Sequence, residues 1–176
     1  MMTKEYHPPH IYQDETIYFI TARTIDRLSI FSTQKKCSLF LDVFEKSLKK
    51  FDFEVIGWVL NTNHYHILIK VSDGSMLGRF VQNLHSNLAR LINKLDRSEG
   101  RQIWYQYWDR CIRSERDLYT RLNYIHHNPV KHGLALSIGD YEWSSYKTYL
   151  ANEGEEWLMD CFERYPIIDF TLEEED

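Results

Sequence analysis

Between Thr33 and Leu95 the spacing of apolar residues changes period twice, from helical to alternating and back, and few folds accommodate that order. From Thr33 to Phe51, Cys37, Phe40, Leu41, Phe44 and Leu48 recur at helical spacing, with lysines opposite and Asp42 and Glu45 between them, which predicts an amphipathic helix. Phe53 to Leu60 (FEVIGWVL) and His64 to Val71 (HYHILIKV) read as strands joined by Asn61, Thr62 and Asn63, residues that favour a turn. The helical period returns from Ser75, placed at an N-cap, to Leu95, with Leu77, Phe80, Val81, Leu84, Leu88, Leu91, Ile92 and Leu95 on one stripe. A hairpin set between two amphipathic helices implies a mainly antiparallel sheet with helices laid on it.

The flanking segments extend this pattern. Thr16 to Thr24 (TIYFITART) is rich in β-branched and aromatic residues and predicts a first strand; Ile103 to Trp108 (IWYQYW) predicts a last one. Ser114 fits an N-cap for a helix from Glu115 to about His127 that ends near Pro129, and Trp143 to Leu150 reads as one more short helix. At 176 residues, without internal repeats or a Pro- or Ser-rich linker, the chain is expected to form one α+β domain over residues 1–150, in the order β-α-β-β-α-β-α, followed by an acidic tail at 151–176.

Charge qualifies the choice of partners. The net charge of −5 argues at first against nucleic acid, but ten acidic residues and one basic residue, Arg164, lie in 151–176; the remaining 20 basic and 16 acidic residues leave residues 1–150 at +4. The tail ending Glu173, Glu174, Glu175, Asp176 is read as a solvated end, with competition against nucleic acid for the basic face as the alternative. Cys37, Cys111 and Cys161 are odd in number and have no C-x-x-C spacing, so ordinary reduced thiols are expected. No stretch is apolar enough to span a bilayer and the start MMTKEYHPPH lacks the apolar run of a signal peptide, so a cytoplasmic protein without membrane contact is expected.

Two segments carry chemistry. In Asn63-His64-Tyr65-His66-Ile67 the histidines are two apart on a strand, so both imidazoles project from one face. They make half of a metal site, or else a pair of hydrogen-bonded histidines. Metal-dependent barrel hydrolases need about 250 residues, and nucleobase deaminases need H-x-E with a later P-C-x-x-C; DNA strand transfer remains. In RLNYIHHNP, Tyr124 and Asn128 are four apart and share a helix face, while His126 and His127 fall on other faces and read as structural or solvent-facing. A tyrosine nucleophile has an ordinary pKa near 10, so it needs a polarised phosphate or a nearby base; by itself Tyr124 also reads as a packing aromatic.

Taken together, N-H-Y-H-I-L-I at 63–69 and N-Y-I-H-H-N-P-V-K-H-G-L at 123–134 resemble the two signature segments of the REP-associated tyrosine transposases, members of the single-tyrosine HUH superfamily. YFITARTIDR at 18–27, QNLHSNLARLINKL at 82–95 and IWYQYWDRCIRSERDLY at 103–119 are similar as well, so the resemblance covers about residues 8–150. It implies an HUH-type ferredoxin-like sandwich in which His64 and His66 bind Mg²⁺ or Mn²⁺, Asn128 is the third, amide ligand and Tyr124 the nucleophile. It also implies cleavage of single-stranded DNA at hairpin-forming repeats, through a 5′-phosphotyrosine that leaves a free 3′-OH. The acidic tail is no part of the family motif.

A positive groove with aromatic stacking surfaces would hold the strand. Candidates are Arg110, Arg113, Arg116, Arg121 and Lys131 around the tyrosine helix and Arg79, Arg90 and Lys94 on the second covering helix, with Trp104, Tyr105, Tyr107 and Trp108 divided between stacking and core packing. The expected state is a monomer or homodimer. The rival readings are a transposase-derived protein that binds hairpin nucleic acid without cutting it and a phosphodiesterase that uses water in place of tyrosine.

Overall fold

The computed structural model describes residues 14–168. Strands β1 (Thr16–Thr24), β2 (Glu54–Leu60), β3 (His64–Val71) and β4 (Trp104–Cys111) form one sheet in the order β2-β3-β1-β4, with every neighbouring pair antiparallel. Helices α1 (Gln34–Phe51) and α2 (Leu77–Asp96) cover one face. There Phe40, Phe44, Phe80, Leu84 and Leu88 pack with Tyr18, Ile20, Tyr65, Ile67 and Ile69. This is the antiparallel α+β sheet with covering helices expected from the alternating periods, in the ferredoxin-like arrangement that the resemblance implies.

The opposite face is covered too. Helices α3 (Glu115–Lys131), α4 (Tyr146–Glu153) and α5 (Glu155–Arg164) lie on that side, where Leu122, Tyr124 and Ile125 meet Phe19, Val59 and Leu68. Every residue of β3 except Lys70 is therefore buried, which accounts for a central strand that reads as an unbroken apolar run. Because side chains alternate, Tyr65, Ile67 and Ile69 enter the α1–α2 core, while His64, His66 and Leu68 are turned toward α3.

Several boundaries differ from the sequence expectation, each for a local reason. Asp73, not Ser75, is the capping residue: its Oδ1 accepts from the Ser75 backbone N–H at 2.9 Å, and a single 3-10 turn, Gly74–Met76, precedes α2. Strand β4 continues past Trp108 to Cys111, since Asp109 and Arg110 still pair with β1 and an edge strand tolerates such polarity. Pro129 lies inside α3, which runs on to Lys131. The missing N–H costs one helical bond, while His132 N–H to Asn128 O at 3.0 Å and Leu134 N–H to Pro129 O at 2.8 Å close the helix end. The last short helix starts at Tyr146, three residues later than Trp143.

The largest difference lies after residue 150. The segment expected to be only an acidic tail includes α5, which buries Leu158 and Cys161. Trp157 stacks on Tyr149 with ring centroids 5.8 Å apart, and the Asn123 amide donates to the carbonyls of Cys161 at 2.9 Å and Tyr165 at 2.8 Å. The second bond satisfies the carbonyl of Tyr165 at the helix end, while Cys161 O also accepts from the Tyr165 N–H at 3.0 Å. The acidic end Glu173–Asp176 lies outside the described residues. Among the described residues no disulfide joins the three cysteines, and no helix is long and apolar enough to cross a membrane.

One glycine is required by the contact between layers. A Cβ on Gly57 would lie 2.6 Å from Leu122 Cδ1, at the place where the β2–β3 register shifts. Gly57→Ala is expected to destabilise the fold by about 1–3 kcal/mol through this overpacking, read as a lower urea midpoint at unchanged slope; an unshifted midpoint would mean that α3 is not held this close to β2.

Candidate active site

The sheet register sets two rows of side chains on the face beneath α3. His64 is opposite Arg23, and His66 is opposite Thr21; on the far side of β1, Arg23 is opposite Gln106 and Thr21 opposite Trp108. The two imidazoles stand 5.1 Å apart, centroid to centroid. Hydrogen bonds at their other ring nitrogens orient them. His64 Nδ1 donates to Asn63 Oδ1 at 2.7 Å, and His66 Nδ1 is 2.7 Å from Thr21 Oγ1, so each ring can present its Nε2 lone pair to the same region. His66 Nε2 is buried and has no hydrogen-bond partner.

Helix α3 brings the other predicted residues to this point. Asn128 Oδ1 lies 3.2 Å from His64 Nε2, and the Tyr124 ring packs edge-on to His66 at 5.2 Å between centroids. Tyr124 also meets Phe19 edge-on at 6.4 Å, and the Lys131 ammonium lies over its ring at 5.2 Å. The phenol, both imidazoles and the carboxamide thus converge within one chain. Spacing foresaw this for Tyr124 and Asn128, and the same spacing of four continues to His132, which the sequence reading did not single out. Its ring is 4.7 Å from that of His64. Asn61 was read only as a turn residue, yet its Nδ2 contacts His64 Nε2 at 2.8 Å and also donates to Asn128 Oδ1; no sequence signal distinguished it from Asn63.

Burial keeps these imidazoles neutral. It pushes the His64 pKa from the ordinary 6.5 down to about 3, with repulsion from His132 next in importance. His66 is held well below the ordinary value by burial and then by His64. A neutral imidazole is the form that ligates a cation. Among the described residues no three His, Cys, Asp or Glu side chains form a metal-binding group; the Asn128 amide oxygen, 3.2 Å from His64 Nε2, is an oxygen donor available beside the two histidines. Two imidazoles with a carbonyl oxygen make a mixed donor set that can accept a divalent cation, with water completing the coordination. The unpartnered His66 Nε2 fits the same role.

Two other histidines, half-buried His85 and buried His126, are neutral as well. Burial lowers His85, stacked on Trp104 at 4.2 Å, and His126, 3.0 Å from Ser145 Oγ, to about 3 each. Below the unfolded pKa near 6.5 the unfolded chain takes up protons that the folded chain refuses until about pH 3, so stability falls as pH falls through that window. Each such histidine contributes up to about 1.4 kcal/mol per pH unit. The melting temperature is therefore expected to drop steadily from pH 7 to pH 4; a flat profile would show that these rings are accessible to protons.

The predicted DNA contacts divide. Arg110, Arg113, Arg116 and Lys131 are exposed on the α3 side; Arg110 faces the site layer opposite Phe19. Arg121 is a correction: it is 0% exposed, its Nε donates to Asp117 at 2.9 Å, and its guanidinium lies 4.7 Å from the Phe19 ring centre. The helical turn that places Tyr124 at His66 also turns Arg121 inward, away from any surface groove. Arg79, Arg90 and Lys94 are exposed, but α2 covers the opposite face of the sheet, so the sheet separates them from the histidines. In their place a cleft of about 80 Å³ opens beside His64, lined by Thr21, Arg23, Arg27, Asn63, Trp108 and His132. The Arg23 guanidinium lies over the rings of Tyr105 at 4.6 Å and Trp108 at 5.2 Å. Trp104 and Tyr107 belong to the α1–α2 core.

Comparison with known proteins places this arrangement in a family. The profile described as Transposase IS200 like matches residues 12–128, a span that holds both histidines, Tyr124 and Asn128. The chain belongs to the IS200-like transposases. It is 24% identical over 140 residues to a Haemophilus influenzae protein assigned to the REP-associated tyrosine transposases, covering 74% of this chain and 79% of that protein. It is 26% identical over 96 residues to the REP-associated tyrosine transposase of Escherichia coli, covering 53% of this chain and 54% of the relative. Among solved structures, a REP-associated tyrosine transposase bound to a REP hairpin superposes with a TM-score of 0.74 at 21% identity, over 87% of this chain and 88% of the other. The sheet order and its helical layers are thus those of a transposase of this group.

Proposed function

We propose that this transposase is a metal-dependent single-stranded DNA endonuclease and strand transferase that acts on hairpin-forming repeat DNA through a 5′-phosphotyrosine intermediate. The reading is carried chiefly by the meeting of His64, His66, Asn128 and Tyr124 on one face of the sheet, although the two segments are remote in sequence. A solved relative bound to a REP hairpin suggests the type of DNA. His64 Nε2, His66 Nε2 and Asn128 Oδ1 would hold the ion. A divalent cation, Mg²⁺ or Mn²⁺, supplies Lewis acidity when bound, neutralising charge on the scissile phosphate.

The chain's own residues then have separate tasks. Asn63 and Thr21 hold the imidazoles in orientation. The Tyr124 oxygen attacks phosphorus, the bond from phosphorus to the 3′ oxygen breaks, the phenolic proton is released, and the leaving oxygen is protonated to a 3′-OH. The Lys131 ammonium, held over the Tyr124 ring, adds positive charge where the phosphate must sit. Arg23 and Arg27 give the cleft beside His64 the charge to hold the adjoining backbone, and Trp108 gives it an aromatic wall.

Incubation with a labelled hairpin substrate and Mn²⁺, followed by denaturing electrophoresis, tests the reading. A covalent protein–DNA product is expected; cleavage without an adduct would assign water as nucleophile, and retention of DNA without cleavage would make the protein a binding module. The placement of the cations makes a separate prediction. Arg23→Gln and Arg27→Gln are each expected to weaken oligonucleotide binding and to reduce the slope of log affinity against log salt by about 0.7. Neutralising Arg79, Arg90 and Lys94 together should leave that slope nearly unchanged; a large effect of this triple variant would put the strand on the α2 face.

A further inference from the structure

Buried polar groups ordinarily find partners, yet Asn61 Oδ1, His66 Nε2 and Asn128 Nδ2 are all buried without one. The three residues meet at His64: Asn61 and Asn128 both contact its Nε2, and the His66 ring lies 5.1 Å from its ring. The Asn61 amide has two N–H groups, and its Nδ2 contacts His64 Nε2 at 2.8 Å and donates to Asn128 Oδ1. It therefore stands between two of the atoms that would ligate a cation, the place a positive charge would take. Asn61 is itself only 1% exposed, held where Asn61 N–H bonds His64 O at 2.8 Å across the β2–β3 turn. Rotating its amide group about the last side-chain bond would break no bond of Oδ1 and would direct that oxygen to the same point. Three acceptors, Asn61 Oδ1, Asn128 Oδ1 and His64 Nε2, would then face one another, an arrangement that repels unless a cation sits among them.

We propose that Asn61 contributes its amide oxygen to the divalent cation held by His64, His66 and Asn128, and that without the cation its amide nitrogen bridges His64 and Asn128 and keeps the site assembled. This rests on the metal reading of the site. Asn61 then has two states, a donor that replaces the ion's charge and an acceptor that binds it. The ion-free site is pre-shaped instead of collapsed.

Calorimetric titration of the full chain with Mn²⁺, free of DNA, decides the matter. Asn61→Ala is expected to weaken Mn²⁺ binding tenfold or more, as loss of a ligand or its supporting partner does. Asn61→Asp keeps the size and an oxygen donor but loses the N–H groups; it is expected to bind Mn²⁺ at least as tightly as the wild type while melting lower when metal-free. A residue that only fills the site competes with the ion, so N61A binding Mn²⁺ as well as or better than wild type overturns the proposal, as does N61D binding as weakly as N61A. Failure of the wild type to bind Mn²⁺, or undiminished binding by H64A, overturns instead the metal reading beneath it.

Discussion

Replacing Tyr124 with Phe is expected to abolish the covalent DNA adduct, with strand cleavage falling by about four orders of magnitude or more, the scale seen when an enzyme loses its nucleophile. The substitution removes one oxygen and keeps the ring that packs edge-on against both Phe19 and His66. The fold, Mn²⁺ binding and hairpin affinity should therefore stay near wild type, because the ligands and the Arg23–Arg27 cleft are untouched. Trapping on a labelled hairpin reads the adduct, and filter binding under the same conditions reads the affinity. An adduct of undiminished yield in Y124F would move the nucleophile elsewhere.

The second large effect separates two residues that sequence alone treats as equals. His64→Ala and His66→Ala should each lower metal-dependent cleavage by about three orders of magnitude, since the Lewis acid is worth several kcal/mol. Their effects on stability should differ. His66 is 0% exposed, stacked on Phe19 at 5.5 Å and 9° between planes, and its removal leaves a cavity costing about 3 kcal/mol. His64 is 8% exposed and borders the cleft, so its loss should cost about 1 kcal/mol, the scale of a hydrogen bond. Denaturant unfolding of both variants without metal measures the difference; equal losses would mean that His66 does not pack as a core residue.

Much of the site was legible because periodicity converts spacing into direction. Two histidines two apart on a strand must share a face, and Tyr124 and Asn128 four apart on a helix must share another. The partners of those residues were not legible, for contacts across strands depend on register. Thr21 lies 45 positions from His66, and Asn61 lies 67 from Asn128. Arg121 shows the same limit from the other side: it is as cationic as Arg116, and only the packing of α3 on Phe19 decides that one is inside and the other exposed. Likewise the apolar stripe of α2 foretold a covering helix but not which face it covers, and hence not that Arg79, Arg90 and Lys94 stand behind the sheet.

The sequence by itself determined most of the elements, their antiparallel architecture and the two segments that meet beneath α3, because hydrophobic period, caps and turn residues act over a few neighbouring positions. Only the tertiary structure decided that α5 continues the domain beyond residue 150, which cations reach the site, and that Asn61, Thr21 and His132 surround it. Those outcomes depend on which surfaces are buried against each other, a competition among distant segments that no local pattern records.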